Sequence, residues 1–560
     1  MMTRRASYPQ VEARASDLVD GRLLAVAASA SAGDALATAR RRDVHGVVAG
    51  DAIVLRDDLA RAASLGVTGA RAEALARPLP VVDADASEVV VRRHLAAGAP
   101  MVAVREGRRV IGAVMAARGA APTISLADRL ARRLPPATLN VLATTARVAA
   151  ERGARVFLAG GVVRDALRAV PDALRDTLAS PDLDVVVEGD GPGVARALAD
   201  LLVAPLVEHE RFLTATVGPT SAGRVDVATA RSERYEGRGT LPRVMPSSIE
   251  QDLRRRDFTV NAMAVELASG SWGLLDPHGG RGDLAAARLT ILHPASFVED
   301  PTRMFRAARY ATRLGLRPDA WTTRCQAWAL SFVPYPALSG ARIVAELTRI
   351  LAEPRPDVTL IRLGASGVYR LLDARHRFGR TTRARLSALP GTLAWSQERS
   401  LSLSGVELVL VTLLADQPAD VAAAALRRLE ITGEPRARIT RAITERAASA
   451  HRALARALAS PRVSERARAL RGRSPLELAA AWLDGGPDLR RQLDDTRASA
   501  IVRAALRGDE VIGLGVAAGP DVAAALDALR DATLDGEVSG RAEEEAFVRA
   551  WVERSSRKER

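Results

Sequence analysis

Four short clusters in this 560-residue sequence combine residue types that could handle phosphate and a divalent cation. Leu158-Ala159-Gly160-Gly161-Val162-Val163-Arg164-Asp165 reads as a strand running through paired glycines into a helix. Glycines there let the backbone approach a phosphate, and the helix start offers N–H groups and a positive dipole end. Arg164 adds a fixed cation, although the same pattern also suits a tight turn with no ligand. Asp182-Leu183-Asp184, followed by Val185-Val186-Val187, puts two carboxylates on one face of a strand and turns Leu183 into the core. Adjacent carboxylates repel unless a cation sits between them, and Mg²⁺, which prefers oxygen ligands, would relieve the conflict. A solvated loop ahead of a strand is the alternative. Asp226, alternating outward between Val225 and Val227, is a candidate third carboxylate, or one half of a surface ion pair. Finally, Asp252-Leu253-Arg254-Arg255-Arg256-Asp257-Phe258-Thr259-Val260-Asn261-Ala262 gathers three guanidinium forks that match phosphate oxygens, or that form an exposed basic turn.

Positioning such groups requires a compact α/β unit. Short β-rich runs at 156–159, 183–187, 212–217, 224–228 and 262–267 alternate with helical segments at 161–168 and 193–202. From about Ala295 onward the pattern is helical and rich in Ala, Leu and Arg, with breaks such as Pro334-Tyr335-Pro336 and Gly433-Glu434-Pro435. The first 120 residues read as two copies of one unit. Helix 31–41, strands 44–48 and 51–55 and helix 57–64 are followed by entry strand 78–82, helix 87–97 and strands 101–105 and 110–115. Gly119-Ala120-Ala121-Pro122 reads as a linker, so the N-terminal part is expected to be removable with a working head left behind. Ser125 then caps a helix ending near Pro135, and a second helix spans 137–152. Glu236 to Glu250, containing Gly and Pro, is expected to be a flexible loop.

Composition narrows the function further. The formal net charge of +14 points to an anionic partner. Lys558 is the only lysine, a bias that GC-rich coding explains better than selection for phosphate binding. With aromatics at 3%, gripping single strands mainly by base stacking is excluded. Cys325 stands alone, which rules out an intrachain disulfide or a Cys-rich zinc site and fits a reducing, cytoplasmic setting. The N-terminus lacks the apolar stretch of a signal peptide, and Val406 to Leu414 is too short to span a membrane.

Taken in order, the four clusters resemble the head of class II tRNA nucleotidyltransferases, within the tRNA nucleotidyltransferase/poly(A) polymerase family. The resemblance runs on through Asp276-Pro277-His278-Gly279-Gly280 and Asp283-Leu284 to Glu299-Asp300-Pro301-Thr302-Arg303-Met304-Phe305-Arg306-Ala307-Ala308-Arg309, covering about Arg155 to Leu316. It implies that Gly160, Gly161 and Arg164 bind the incoming nucleotide. Asp182 and Asp184 would be the catalytic carboxylates holding Mg²⁺, and Arg256 would contact the triphosphate. Asp300 and Arg303 would read the base edge, with Arg306 near the nucleotide. An Asp and an Arg three residues apart share one helix face and could mimic a pairing base, or pair with each other.

The implied activity is CCA addition, transfer of CMP and AMP from CTP and ATP to a tRNA 3′ end with release of pyrophosphate. Addition of the terminal A alone and poly(A) synthesis are alternatives; a non-catalytic RNA-binding or nucleotide-sensing protein is the rival from another class. The N-terminal duplication, about Leu18 to Gly119, resembles a tandem CBS pair. An adenine nucleotide bound there and a homodimer formed through it are further expectations, beside a ligand-free packing module. The expected architecture is multidomain α/β plus all-α: a CBS-like region (1–120), linker and helices (121–152), a mixed-sheet head (153–292), a helical neck (293–355), and a helical body and tail that bind tRNA (356–560).

Overall fold

The computed structural model describes residues 13–117, 124–168, 183–267, 272–446, 448–499 and 504–558. The expected linker at 119–122 and Asp182 therefore lie outside the described residues. The chain divides into two compact units, Met1–Arg342 and Ile343–Arg560.

The first unit opens with β1 (Leu23–Val26), α1 (Ala32–Arg41), β2 (Gly46–Ala49), β3 (Ala52–Leu55) and α2 (Arg56–Ser64). It repeats the pattern in β4 (Val81–Asp83), α3 (Glu88–Ala96), β5 (Met101–Glu106) and β6 (Arg109–Met115). In each copy the first two strands are parallel and the last two antiparallel. The duplication expected from the sequence is thus present in the topology. Ser31 starts α1 by accepting a hydrogen bond from the Asp34 N–H, satisfying a donor the helix cannot. Leu55 of the first copy packs with Met101 and Ala113 of the second.

Two helices follow, α4 (Ala127–Arg133) and α5 (Pro136–Glu151), the latter opening on a proline whose fixed φ suits a first turn. The head continues with β7 (Arg155–Ala159), α6 (Gly161–Leu167), β8 (Leu183–Glu188), α7 (Gly191–Leu202), β9 (Leu206–His209), β10 (Thr214–Thr220) and β11 (Gly223–Thr229). Next come β12 (Arg231–Arg234), β13 (Arg243–Pro246), α8 (Ile249–Arg254), β14 (Ala264–Glu266) and β15 (Leu274–Leu275). Seven of these strands form a mixed sheet in the order β15-β14-β7-β8-β11-β10-β9, in which only β8 and β11 are parallel neighbours. Strand alternation splits the core between the two faces. Leu158, Val185 and Val227 pack with Leu142 of α5 and Leu198 of α7, while Phe157 and Val186 pack with Ile249 and Leu253 of α8. Leu183 is buried and Asp184 exposed, as the alternation requires.

Two differences from the sequence reading stand out. Within the stretch expected as a flexible loop, Arg243–Pro246 pairs antiparallel with Arg231–Arg234, and Ile249 begins α8. The residues that suggested a loop, Gly237, Gly239 and Pro242, only connect the two strands. Edge strand β9 also has too little alternation to be read from the sequence.

Helices α9 (Gly280–Ala285), α10 (Ser296–Glu299), α11 (Thr302–Arg313) and α12 (Ala320–Leu330) complete this part. They meet the N-terminal repeats through buried polar groups. Arg77 grips Asp58 with two hydrogen bonds, at 2.5 and 2.7 Å, and donates to the Leu292 carbonyl at 2.7 Å. The Trp321 indole N–H donates to the Ala76 carbonyl at 3.0 Å. Gly98 and Gly279 lie back to back, and a Cβ on Gly279 would come 2.2 Å from the Ala97 carbonyl oxygen. These links argue against the separability expected from the linker.

The second unit is helical. Pro356, Pro475 and Pro520 each open a helix, and Ser474 and Glu477 form a reciprocal cap. The helix Gly405–Leu414 is the apolar stretch noted above, and Leu408 through Leu414 are buried. Trp395 stacks on Trp482 at 5.4 Å, and Arg385 and Arg446 converge on Asp484. No helix among the described residues is long and apolar enough to cross a membrane. In the first unit, Cys325 is buried, and burial pushes its thiol up to about 12.

Candidate functional site

The chain leaves β7 through Gly160, whose φ of +74° favours glycine. A Cβ there would also lie 2.8 Å from Asp184 Oδ2 and 3.3 Å from Arg256 Nη1. The absent side chain thus brings the glycine turn, a carboxylate and a guanidinium together. Arg164, 2% exposed, is fixed by two hydrogen bonds to Asp165 and one of 2.7 Å to Asn261 Oδ1.

Because β8 and β11 are parallel neighbours, Asp184 stands opposite Asp226 in register. Asp226 accepts from Thr216 Oγ1 at 2.6 Å and from Arg224 Nη2 at 2.9 Å. Asp226 thus has the arginine partner of the ion-pair reading, and it also borders the cavity described below.

The three consecutive arginines divide their work. Arg254 turns away to Asp57 at 2.7 Å, so only Arg255 and Arg256 face the cavity. Asp252, fully buried, clamps both of them. Burial opposes its ionisation, but Arg256 and Arg255 outweigh that and hold its carboxyl below the usual range. Asp257 is likewise held low against burial by Arg306 and Asn261, and accepts from Arg306 Nε at 2.7 Å.

The expectation that Asp300 and Arg303 share a helix face is corrected. Asp300 is extended, with φ −134° and ψ 97°, between α10 and α11. Pro301 explains this, since the residue before a proline avoids helical backbone. Asp300 accepts from the Thr302 N–H at 2.9 Å and from Arg342 Nη2 at 2.8 Å. Arg303, 5% exposed, donates to Ser296 Oγ at 2.8 Å and to the Arg255 carbonyl at 3.0 Å, with Glu299 Oε2 at 3.4 Å. Burial opposes its charge, but Tyr235 and Glu299 keep it firmly protonated. Further along α11, the guanidinium groups of Arg164, Arg306, Arg309 and Arg313 surround the Tyr310 ring at 5.4–5.7 Å.

One cavity of about 830 Å³ is bordered by Gly160, Gly161, Arg164, Asp184, Asp226, Arg256, Asp300, Arg303 and Arg306. Of the residues expected at the site, Asp182 alone lies outside the described residues. This volume falls in the range of small-molecule sites. Its guanidinium groups suit a polyphosphate, and two in-register carboxylates suit an oxygen-seeking cation. Among the described residues no group of three or more His, Cys, Asp or Glu side chains is arranged to hold a metal. Tyr235, Asp257, Asn261 and Arg342 also border the cavity and went unassigned in the sequence. Asp257 and Asn261 sit inside the arginine motif and could have been noticed; nothing local marks Arg342.

Residues 156–290 match the family described as poly A polymerase head domain. The A-adding tRNA nucleotidyltransferase of Halalkalibacterium halodurans is 36% identical over 256 residues, covering 44% of this chain and 57% of that protein. The CC-adding tRNA nucleotidyltransferase of Deinococcus radiodurans is 42% identical over 202 residues, covering 36% of this chain and 50% of that protein. The chain thus spans about half the length of these two relatives. Among solved structures, the apo form II of a CCA-adding enzyme aligns with 76% of this chain and 98% of its own, at 26% identity and a TM-score of 0.67. The Thermotoga maritima CCA-adding enzyme complexed with tRNA shares the fold, at 24% identity and a TM-score of 0.62, over 76% of this chain and 98% of its own. The likeness to the poly A polymerase head domain thus falls on residues 156–290, the part of the chain that contributes most of the cavity's lining.

Proposed function

We propose that this protein extends tRNA 3′ ends, transferring CMP and AMP from CTP and ATP and releasing pyrophosphate. The observation that carries the proposal is the single cavity where the Gly160–Gly161 turn and the Asp184–Asp226 pair face Arg164, Arg256 and Arg306. In the reaction, the 3′-hydroxyl oxygen bonds to the α-phosphorus, the bond to the bridging oxygen breaks, and the hydroxyl proton passes to water. Gly160 lets the phosphates approach the backbone, while Arg164 and Arg256 balance their charge. Arg306, held by Asp257, would reach the nucleotide. Asp182, Asp184 and Asp226 would hold a divalent cation such as Mg²⁺, which when bound supplies Lewis acidity at the hydroxyl and the leaving oxygens. Asp300 as acceptor and Arg303 as donor would read the base edge. No side chain needs to act as a covalent nucleophile, because positioning and charge balance carry the chemistry. The arginine-rich helical unit would follow tRNA phosphates by shape and charge.

A second reading, addition of the terminal A alone, is favoured by the A-adding enzymes of Halalkalibacterium halodurans and Geobacter sulfurreducens, 36% and 37% identical to the aligned parts of this chain. Offering CTP and ATP to tRNAs ending before CCA, after C and after CC separates the two. CCA addition extends all three; A addition extends only the last, by one residue. No extension of any of them overturns the proposal.

A further inference from the structure

We infer that Arg61, in the first N-terminal repeat, is a positioning residue for nucleotide selection, acting through Glu299 on Arg303. The inference rests on the base-reading role proposed for Arg303. Arg61 lies on α2, 238 residues before its partner, and its Nη1 is 2.7 Å from Glu299 Oε1. The Glu299 side chain is 3% exposed. Its other oxygen faces Arg303 Nη1 at 3.4 Å and His293 Nε2 at 3.2 Å. Burial holds His293 neutral near pH 7, so the charges balancing Glu299 come from Arg61 on one oxygen and Arg303 on the other.

A buried carboxylate that loses one of two cations is costly and leans on the one that remains. Without Arg61, Glu299 draws the Arg303 guanidinium toward itself, away from the Arg255 carbonyl, 3.0 Å away, that aims it at the cavity. The N-terminal repeat thereby helps to set the direction in which Arg303 presents its donors. Asp57, on the same helix as Arg61, reaches Arg254 instead, outside the nucleotide cavity, and gives an internal control.

Equilibrium binding of ATP and of CTP to the full-length chain reads the selectivity ratio without requiring turnover. The ratio is compared among wild type, Arg61→Ala, Arg61→Gln, Arg61→Lys, Asp57→Asn and Arg303→Ala, with Arg61→Ala repeated in a Glu299→Gln background. The expected result is a selectivity change of about fivefold or more in Arg61→Ala, and in Arg61→Gln should the alanine variant fail to fold. Arg61→Lys should recover most of it and Asp57→Asn should leave it unchanged. In the Glu299→Gln background Arg61→Ala should add little, because the charge it balances is gone. If Arg303→Ala shifts the ratio and neither Arg61→Ala nor Arg61→Gln does, the inference is overturned and the base-reading role stands. An Arg303→Ala variant with an unchanged ratio overturns both. Uniform weakening of ATP and CTP binding in the Arg61 variants means a structural role only and also overturns the inference.

Discussion

Asp184 and Asp226 stand opposite each other on the parallel pair of neighbouring strands β8 and β11 of the head sheet, and Gly160 leaves the space that Asp184 Oδ2 approaches. Parallel pairing in register turns both carboxylates to one face. That juxtaposition sets two acidic groups among the guanidinium groups that line the cavity.

Asp184→Ala should lower kcat roughly a hundredfold or more while tRNA affinity stays within about twofold, because phosphate tracking is assigned to arginines elsewhere. Asp226→Asn should fall less steeply, since Thr216 and Arg224 still hold the side chain in place. Single-turnover rates and filter binding with the same tRNA measure both quantities.

Gly160→Ala should cost about 1–3 kcal/mol through its positive φ alone. The new methyl group would also press on Asp184 and Arg256, so nucleotide affinity should drop even in the folded fraction. Thermal unfolding together with ATP titration separates the two effects.

Deleting residues 1–120 should lower the melting temperature of the remainder and weaken nucleotide selection. The deletion strips the Leu292 carbonyl of Arg77, the Trp321 N–H of its acceptor and Glu299 of Arg61. Calorimetry on the shortened chain checks this; an unchanged melting temperature and selectivity would restore the separable module expected from the linker.

Lowering the pH from about 7 to about 5 should destabilise the fold. Burial depresses His293 to about 4, so between its ordinary value near 6.5 and about 4 the unfolded chain takes up a proton that the folded chain refuses. The His293 contribution is therefore complete above about 6.5 and declines below it, by about 2 kcal/mol at pH 5. Glu299, held low by Arg61 and Arg303 against burial, adds its own loss only below its ordinary value of 4.5. The contributions of buried His278, depressed to about 3, and of His376, also lowered by burial, decline in the same way, so denaturant midpoints across this range should fall less steeply in His293→Gln without becoming flat.

What could be read from the sequence was what local spacing dictates. Gly160, Asp184 and Asp226 follow from strand alternation and a strand-to-helix turn, which need only a few neighbouring residues. Asp300 and Arg303 both border the cavity, but not on the shared helix face that their spacing suggests, because Pro301 overrides helical spacing. The Arg342–Asp300 and Arg61–Glu299 pairs join residues 42 and 238 positions apart. In a chain where nearly all of the 80 basic residues are arginine, residue type gives no hint of which arginine reaches which carboxylate.

The central claim, nucleotidyl transfer at this cavity, is tested most directly by supplying a tRNA ending in CC with ATP labelled at either the α- or the γ-phosphate. The wild-type chain should place the α-label in RNA and release the γ-label as pyrophosphate, and Asp184→Ala should do neither at a measurable rate. Label from the γ-phosphate in RNA, or equal α-label incorporation by Asp184→Ala, would contradict it.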